Sequence, residues 1–97
     1  RLRKWFKRSR IDVWVTEYAH QTRPQDRFGV SYSKQAAYIR ESISIARKQP
    51  FTKMFVWFVF RDDSGQGWES GIYTRAGGAK GSAPTAFSRA ARSLRPR

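Results

Sequence analysis

Residues 53–60, KMFVWFVF, are the stretch of sequence that decides the fold. After Lys53 the run is continuously apolar, whereas a strand with one solvated face alternates apolar and polar residues. Continuously apolar strands are typical of parallel sheets, because both faces of such a sheet are covered. We therefore predict a buried parallel strand over residues 53–60.

A partner strand is predicted upstream, at residues 11–16, IDVWVT. These residues are β-branched or aromatic, as is usual in strands. Ile11, Val13 and Val15 alternate with the residues between them. The pattern indicates a strand that ends at Glu17.

The segment between the two strands has the spacing of an amphipathic helix over residues 34–48. Ser33 is predicted as its N-cap, because a serine hydroxyl accepts an unpaired backbone N–H of the first turn. Gln49-Pro50 is predicted to end the helix. Four apolar residues recur at spacings of three, four and three and predict one buried stripe: Ala36, Ile39, Ile43 and Ala46. Strand, helix and strand together predict one βαβ unit with a right-handed crossover.

The remaining segments complete an α/β order. Residues 1–9 have the apolar spacing of a helix end, and residues 18–32 have the composition of a loop. Six of the seven glycines fall in residues 61–83, which predicts a second, long loop. Pro84 suits the first turn of a last helix over residues 84–94. The chain of 97 residues is long enough for a single domain.

The net charge of +13 raises the possibility of a nucleic-acid partner. Ten of the twenty basic residues, however, lie in the first ten and the last nine positions. Residues 11–88 hold ten basic and seven acidic side chains, a net charge of +3. Two solvated basic ends account for this distribution. A basic nucleic-acid-binding α/β module without catalytic activity stays open as the alternative function.

Several other chemistries are excluded by residue type. The chain has no cysteine, which excludes disulfides and thiolate metal sites. His20 is the single histidine, so neither a His-rich metal site nor a Ser-His-Asp triad is supported. GGAKGS at residues 77–82 lacks the residue order of a phosphate-binding P-loop. The longest apolar run, residues 54–60, is seven residues, against about 20 for a membrane-spanning helix.

Glu17 is the first candidate for catalysis, because it directly follows a predicted strand. In α/β barrels, functional side chains project from the C-terminal ends of the strands into a shared mouth. A carboxylate in that place can attack an anomeric carbon. A solvated glutamate paired with an arginine is the other interpretation of the same residue.

Longer stretches carry a resemblance to a known group of enzymes. TEYAHQT, residues 16–22, resembles the end of strand 7 in clan-A glycoside hydrolases, where a Thr-Glu-aromatic-Gly run carries the catalytic nucleophile. FVWFVFRDD (55–63), WESGIYT (68–74) and GGAK (77–80) resemble strand 8, its loop and the approach to helix 8 in cellulase-like and family-39-like barrels. The resemblance covers residues 2–94, nearly the whole chain.

The resemblance implies that residues 1–97 are a single partial domain, the C-terminal sector of a (β/α)₈ TIM barrel. That sector would contain the end of helix 6, strand 7, helix 7, strand 8 and helix 8. Glu17 would be the nucleophile of a retaining hydrolase acting on O-glycosidic bonds. The acid/base residue follows strand 4 in such barrels and would lie outside this chain, so the chain alone would be inactive. No cofactor and no metal are implied.

The resemblance also implies which residues bind the carbohydrate substrate. Trp57 would form an aromatic platform under the sugar, with core packing as an equal alternative. Four further residues would line the same mouth: Tyr18, His20, Gln21 and Trp68. Asp62 is expected to be a structural loop partner, of Arg61, rather than a catalyst.

The chain departs from the pattern of these relatives at two places. Ala19 stands where relatives have glycine, and Gly81 replaces the proline that follows the lysine. These departures alter the loops and leave the assignment of Glu17 intact. We expect no specific nucleic-acid partner and no membrane association. We also expect the isolated chain to self-associate, because an unclosed barrel sector exposes apolar strands and their edges.

Overall fold

The computed structural model describes residues 2–5, 7, 10–63, 65 and 67–93, and only the backbone of Leu2 and Arg3. The elements, in chain order, are α1 (Leu2–Trp5), β1 (Val13–Tyr18), α2 (Tyr32–Lys48), β2 (Thr52–Trp57) and α3 (Ala83–Arg92). This is the predicted order, and the α/β class is confirmed. In the part of the chain that the structure describes, every helix is too short or too polar to cross a membrane.

The two strands form a parallel two-stranded sheet. At its start the Val13 N–H donates to the Phe51 carbonyl at 2.7 Å, and at its end the Phe58 N–H donates to the Tyr18 carbonyl at 3.1 Å. Because the strands are parallel, their C-terminal ends lie at the same edge of the sheet, which we name the carboxyl edge. The edge is formed by the end of β1 and the end of β2.

The strand boundaries differ from those predicted. β1 ends at Tyr18, so Glu17 lies inside the strand rather than just after it. β2 ends at Trp57 rather than Phe60, because the backbone beyond Phe58 pairs with another partner. Phe60 accepts hydrogen bonds from the N–H groups of residues 72 and 73, at 3.0 and 3.2 Å, which draws the chain away from β1. The Phe58–Val59 peptide bond is cis.

The predicted N-cap of α2 is wrong by two residues. Ser31, not Ser33, is the cap: it has extended backbone angles, and its hydroxyl accepts from the Lys34 N–H at 3.2 Å. Ser33 already lies in the first helical turn, so it cannot adopt the extended backbone of a cap. The predicted end of the helix is confirmed, with Gln49 as the C-cap.

The core lies between the helices and one face of the sheet. Three members of the predicted stripe on α2 are buried, and Ala46 is half-buried. Phe55 of β2 packs against this core from the sheet. Its buried members come from both longer helices, from β2 and from the loop that follows it: Ala36, Ile39, Ile43, Trp57, Ile72, Ala83 and Ala86.

The other face of the sheet is uncovered in the described part of the chain. Trp14 of β1 is 62% exposed, and Met54 and Val56 of β2 are 40% and 37% exposed. These residues alternate along the strands with the ones that face the core. The prediction that β2 is covered on both faces is therefore wrong for this chain, because its helices supply cover to one face. We name Trp14, Met54 and Val56 the open face.

Candidate functional site

Glu17 lies at the carboxyl edge, one residue before the end of β1. Its side chain is exposed, and it forms no ion pair with any residue that the structure describes. Its neighbour Tyr18 is half-buried, with its ring 5.4 Å from that of Phe55 and 6.0 Å from that of Trp57. The end of β1 thus combines a buried anchor, Tyr18, with an accessible carboxylate, Glu17.

His20 lies among aromatic rings directly beyond β1. Its Nε2 is 3.0 Å from the Tyr18 hydroxyl. Its ring centroid is 4.6 Å from that of Tyr38 on α2 and 6.5 Å from that of Trp57 on β2. Burial lowers the pKa of His20 below its ordinary value of 6.5, because desolvation disfavours the charged imidazolium. The cluster therefore presents a neutral imidazole beside a tyrosine hydroxyl at neutral pH.

Trp57 belongs to the core of the protein. It is 8% exposed, and its indole N–H donates to the Ser70 carbonyl at 3.0 Å. This geometry favours core packing over a platform beneath the sugar. Trp68, in contrast, is 45% exposed and meets Phe58 edge to face at 5.6 Å. Of these two tryptophans, Trp68 is the one with a ring available to a ligand.

Gln21 joins the loops that follow the two strands. Its side-chain carbonyl accepts from the Glu69 N–H at 3.0 Å. The next two residues are held as well: the Ser70 hydroxyl donates to the Phe58 carbonyl at 2.6 Å, and the Gln35 amide donates to the Gly71 carbonyl at 3.1 Å. Gln21 therefore has a structural contact, and segment 69–71 is fixed from several sides.

Lys80 is the centre of a buried polar group that the sequence analysis did not foresee. Its ammonium lies 2.8 Å from both carboxylate oxygens of Asp62, and both side chains are 0% exposed. It also donates to the Thr22 hydroxyl at 2.7 Å and to the Glu69 carbonyl at 3.0 Å. An ammonium has three protons, so these acceptors satisfy it. We name Thr22, Asp62 and Lys80 the buried hub.

Asp62 has the structural role that was expected, with a different partner. The predicted partner, Arg61, is exposed, whereas the ion pair forms with Lys80. Asp62 also accepts the N–H of Gly71 at 2.8 Å. Glycine is required there, because a Cβ on Gly71 would lie 2.5 Å from the Asp62 backbone nitrogen. The Ser-Gly-Ile turn thus packs directly against the loop that follows β2.

Glu69 is another carboxylate of this loop. One of its oxygens accepts from the Arg75 guanidinium at 2.8 Å, and its side chain is 10% exposed. Asp62 and Glu69 are the two buried carboxylates of this loop. Each is held in an ion pair, so neither is placed like Glu17, with its carboxylate open to solvent. Among the described residues, no cluster of three or more candidate ligands could hold a metal ion.

The fold and the carboxyl edge are those expected of part of a glycosidase catalytic domain. The sequence model of the family described as "glycosyl hydrolase catalytic core" matches residues 1–84, and the chain belongs to this family. The membership supports a glycoside hydrolase function. No curated protein and no solved structure matches the chain significantly.

Proposed function

We propose that this chain is the strand-7 to helix-8 sector of a (β/α)₈ barrel in a retaining, clan-A glycoside hydrolase of the cellulase-like or family-39-like type. The observation that carries the proposal is the exposed carboxylate of Glu17 at the carboxyl edge of a parallel sheet. Functional side chains of (β/α)₈ enzymes lie at the C-terminal ends of the strands. Glu17 is the one acidic residue in β1 or β2.

The distribution of apolar residues supports a barrel sector. The helices cover the sheet face that carries Phe55 and Trp57, as the outer helices of a barrel do. The open face carries large apolar side chains, which is the character of a barrel interior, where side chains from all strands pack in layers. The remaining strands of a barrel would bury Trp14, Met54 and Val56.

In the proposed mechanism the Glu17 carboxylate attacks the anomeric carbon of the substrate. The glycosidic C–O bond breaks, a glycosyl ester of Glu17 forms, and the leaving oxygen takes a proton from an acid/base residue outside this chain. Water, deprotonated by the same residue, then cleaves the ester and restores the carboxylate. The two carboxyl groups need to lie about 5–5.5 Å apart for this retaining course.

The residues near Glu17 have separate roles in the proposal. The exposed Trp68 ring stacks on the apolar face of a sugar, and the His20–Tyr18 pair supplies polar contacts to its hydroxyl groups. Trp57 supports this arrangement from the core through its hydrogen bond to Ser70. Gln21 holds the loop that carries Trp68 in place.

The test uses the complete hydrolase that contains this sector. Glu17→Gln removes the nucleophile and is expected to lower kcat by about 10³-fold or more. The matched control is Glu41→Gln, a change of the same size at an exposed position of α2. Digestion after reaction with a fluorinated glycoside that deglycosylates slowly should give a glycosylated peptide containing Glu17. Near-normal turnover of the Glu17 variant, or labelling at another carboxylate, overturns the assignment. A product of inverted anomeric configuration overturns the retaining mechanism.

A further inference from the structure

A second candidate site lies in a groove between α2 and α3. The groove has a volume of about 310 Å³. Its floor is apolar and is formed by Ile43, Ala86 and Ala90, while Arg40, Arg47 and Arg89 lie around it. None of its lining residues belongs to the carboxyl edge. The groove is therefore separate from the proposed catalytic site.

Among the residues that the structure describes, no acidic side chain offsets the charge of the groove. All seven acidic residues of the chain lie in the part that the structure describes, and none of them lines the groove. The three ion pairs among described residues involve Arg10, Arg75 and Lys80, so none uses an arginine of the groove. Three neighbouring guanidinium groups without a carboxylate produce a positive local potential that attracts an anionic partner.

Helix stability explains only part of this arrangement. Arg47 and Arg89 lie in the last turns of their helices, where cations interact favourably with the helix dipole. Arg40 lies in the middle of α2, where the dipole gives it no such role. Arg40 nevertheless lines the same groove. Its position there is explained if the three arginines bind a ligand.

The chemistry of the floor distinguishes between classes of anion. Proteins that bind single-stranded nucleic acid use aromatic side chains on which the bases stack, and the described residues that line this groove include no aromatic one. Ala90, which is half-buried, instead offers an aliphatic surface in the groove, and the buried side chains of Ile43 and Ala86 lie beneath it. An amphipathic peptide can place its apolar side chains in such a trough and its carboxylates against the flanking cations.

We propose that the α2–α3 groove binds an acidic, amphipathic segment of another protein. Leucine-like side chains lie over Ala90, and glutamate or aspartate side chains pair with Arg40, Arg47 and Arg89. This interaction is independent of the proposed hydrolase activity, because its residues are distinct from Glu17 and its neighbours.

The test is a titration of the complete protein that contains this sector with a designed peptide at about 0.15 M salt, where long-range charge effects are screened. The probe is a helical peptide of about 14 residues, or four turns, with leucines along one face and glutamates at the positions that flank this face. Arg40→Ala combined with Arg89→Ala is expected to weaken its binding by about tenfold, since each exposed ion pair contributes modestly. The control, Arg23→Ala combined with Arg27→Ala, removes the same charge outside the groove and should leave binding unchanged.

Three results would overturn the proposal. Equal losses of peptide affinity in the two double variants would show that the peptide responds only to the net charge of the protein. Failure of the peptide to bind at this salt concentration would exclude the groove as a peptide site. Tighter binding of a single-stranded oligonucleotide, weakened by the Arg40 and Arg89 changes, would assign the groove to nucleic acid. Circular dichroism checks that each variant keeps its fold. We expect that it does, because all four substituted arginines are exposed.

Discussion

The ammonium of Lys80 and the carboxylate of Asp62 are 2.8 Å apart in a place where neither side chain reaches solvent. Burying two charges is costly, and the cost is offset only when both are paired and hydrogen-bonded. Lys80 gains two further acceptors and Asp62 Oδ1 gains a backbone donor, so the buried hub meets most of this condition, while Asp62 Oδ2 has only its ion-pair contact with Lys80. The hub connects the loop after β1 with the loop after β2.

Lys80→Met is expected to destabilise the protein by about 3–5 kcal/mol, because it leaves Asp62 as an unpaired buried charge. Urea unfolding followed by fluorescence measures the change in free energy of unfolding. The double change Lys80→Met with Asp62→Leu removes both charges and should recover much of the loss. Equal losses in the single and double variants would contradict an ion-pair role.

Gly71→Ala is expected to destabilise the protein by about 1–3 kcal/mol, within the range of overpacked core changes. The physical reason is the overlap of an added Cβ with the backbone of Asp62 and Arg61, at 2.5 and 2.7 Å. Gly78→Ala is the matched control, since its Cβ would approach only the Thr74 side chain, at 3.4 Å. Thermal unfolding compares the two variants, and similar melting temperatures would show that the close approach relaxes freely.

The stability of the protein is expected to fall as the pH drops below about 6.5, the ordinary pKa of histidine. Burial lowers the pKa of His20 in the folded state, so the unfolded chain binds this proton first. Stability rises with pH wherever the unfolded state holds more protons. The contribution of His20 to stability is therefore complete above its pKa in the unfolded chain. It is lost as the pH falls from that value toward the lower pKa of His20 in the folded protein.

His20→Phe tests this dependence, because it keeps an aromatic ring beside Tyr38 and removes the titrating group. Urea midpoints measured from pH 5 to pH 8 should vary less in the variant than in the parent across the histidine range. Identical slopes in the two proteins would assign the pH dependence to other groups.

The isolated chain is expected to form oligomers through its open face. Exposed apolar sheet surface favours association, and charged residues on a strand oppose it. Met54→Lys with Val56→Thr is therefore expected to shift the chain toward monomer in sedimentation experiments. The control is Ile45→Lys, which also replaces an exposed apolar residue by lysine but lies on α2, away from the open face, and should have no such effect. A parent chain that is monomeric at all concentrations would contradict the prediction.

The order of the elements could be predicted from the sequence, because it depends on short-range patterns. The stripe on α2 and the apolar run 53–60 each lie within one element, and their periodicity reports which faces are buried. The end of β2 could not be predicted, since it depends on pairing between Phe60 and residues 72–73. Periodicity contains no information about such a partner.

The contacts of the buried hub could not be predicted either, because they join residues that are far apart in the sequence. From the sequence, Lys80 belongs only to a glycine-rich stretch that lacks the residue order of a phosphate loop, and the predicted partner of Asp62 is its neighbour Arg61. The actual partners are 18 and 58 residues away from Lys80 in the chain. The acidic residue at the end of β1, in contrast, was found because a strand end is a local feature. Its catalytic role stays a prediction.

The span between Thr22 and Lys80 has a consequence for folding kinetics. Contacts between residues far apart in the chain form only after the intervening loop has closed, which slows their formation. The strand–helix–strand unit needs shorter closures, so we expect it to assemble before the hub does. Changes in the hub should then act mainly on the unfolding rate, with little effect on the folding rate. The loops at the carboxyl edge would be the last part of the molecule to become ordered and the first to open.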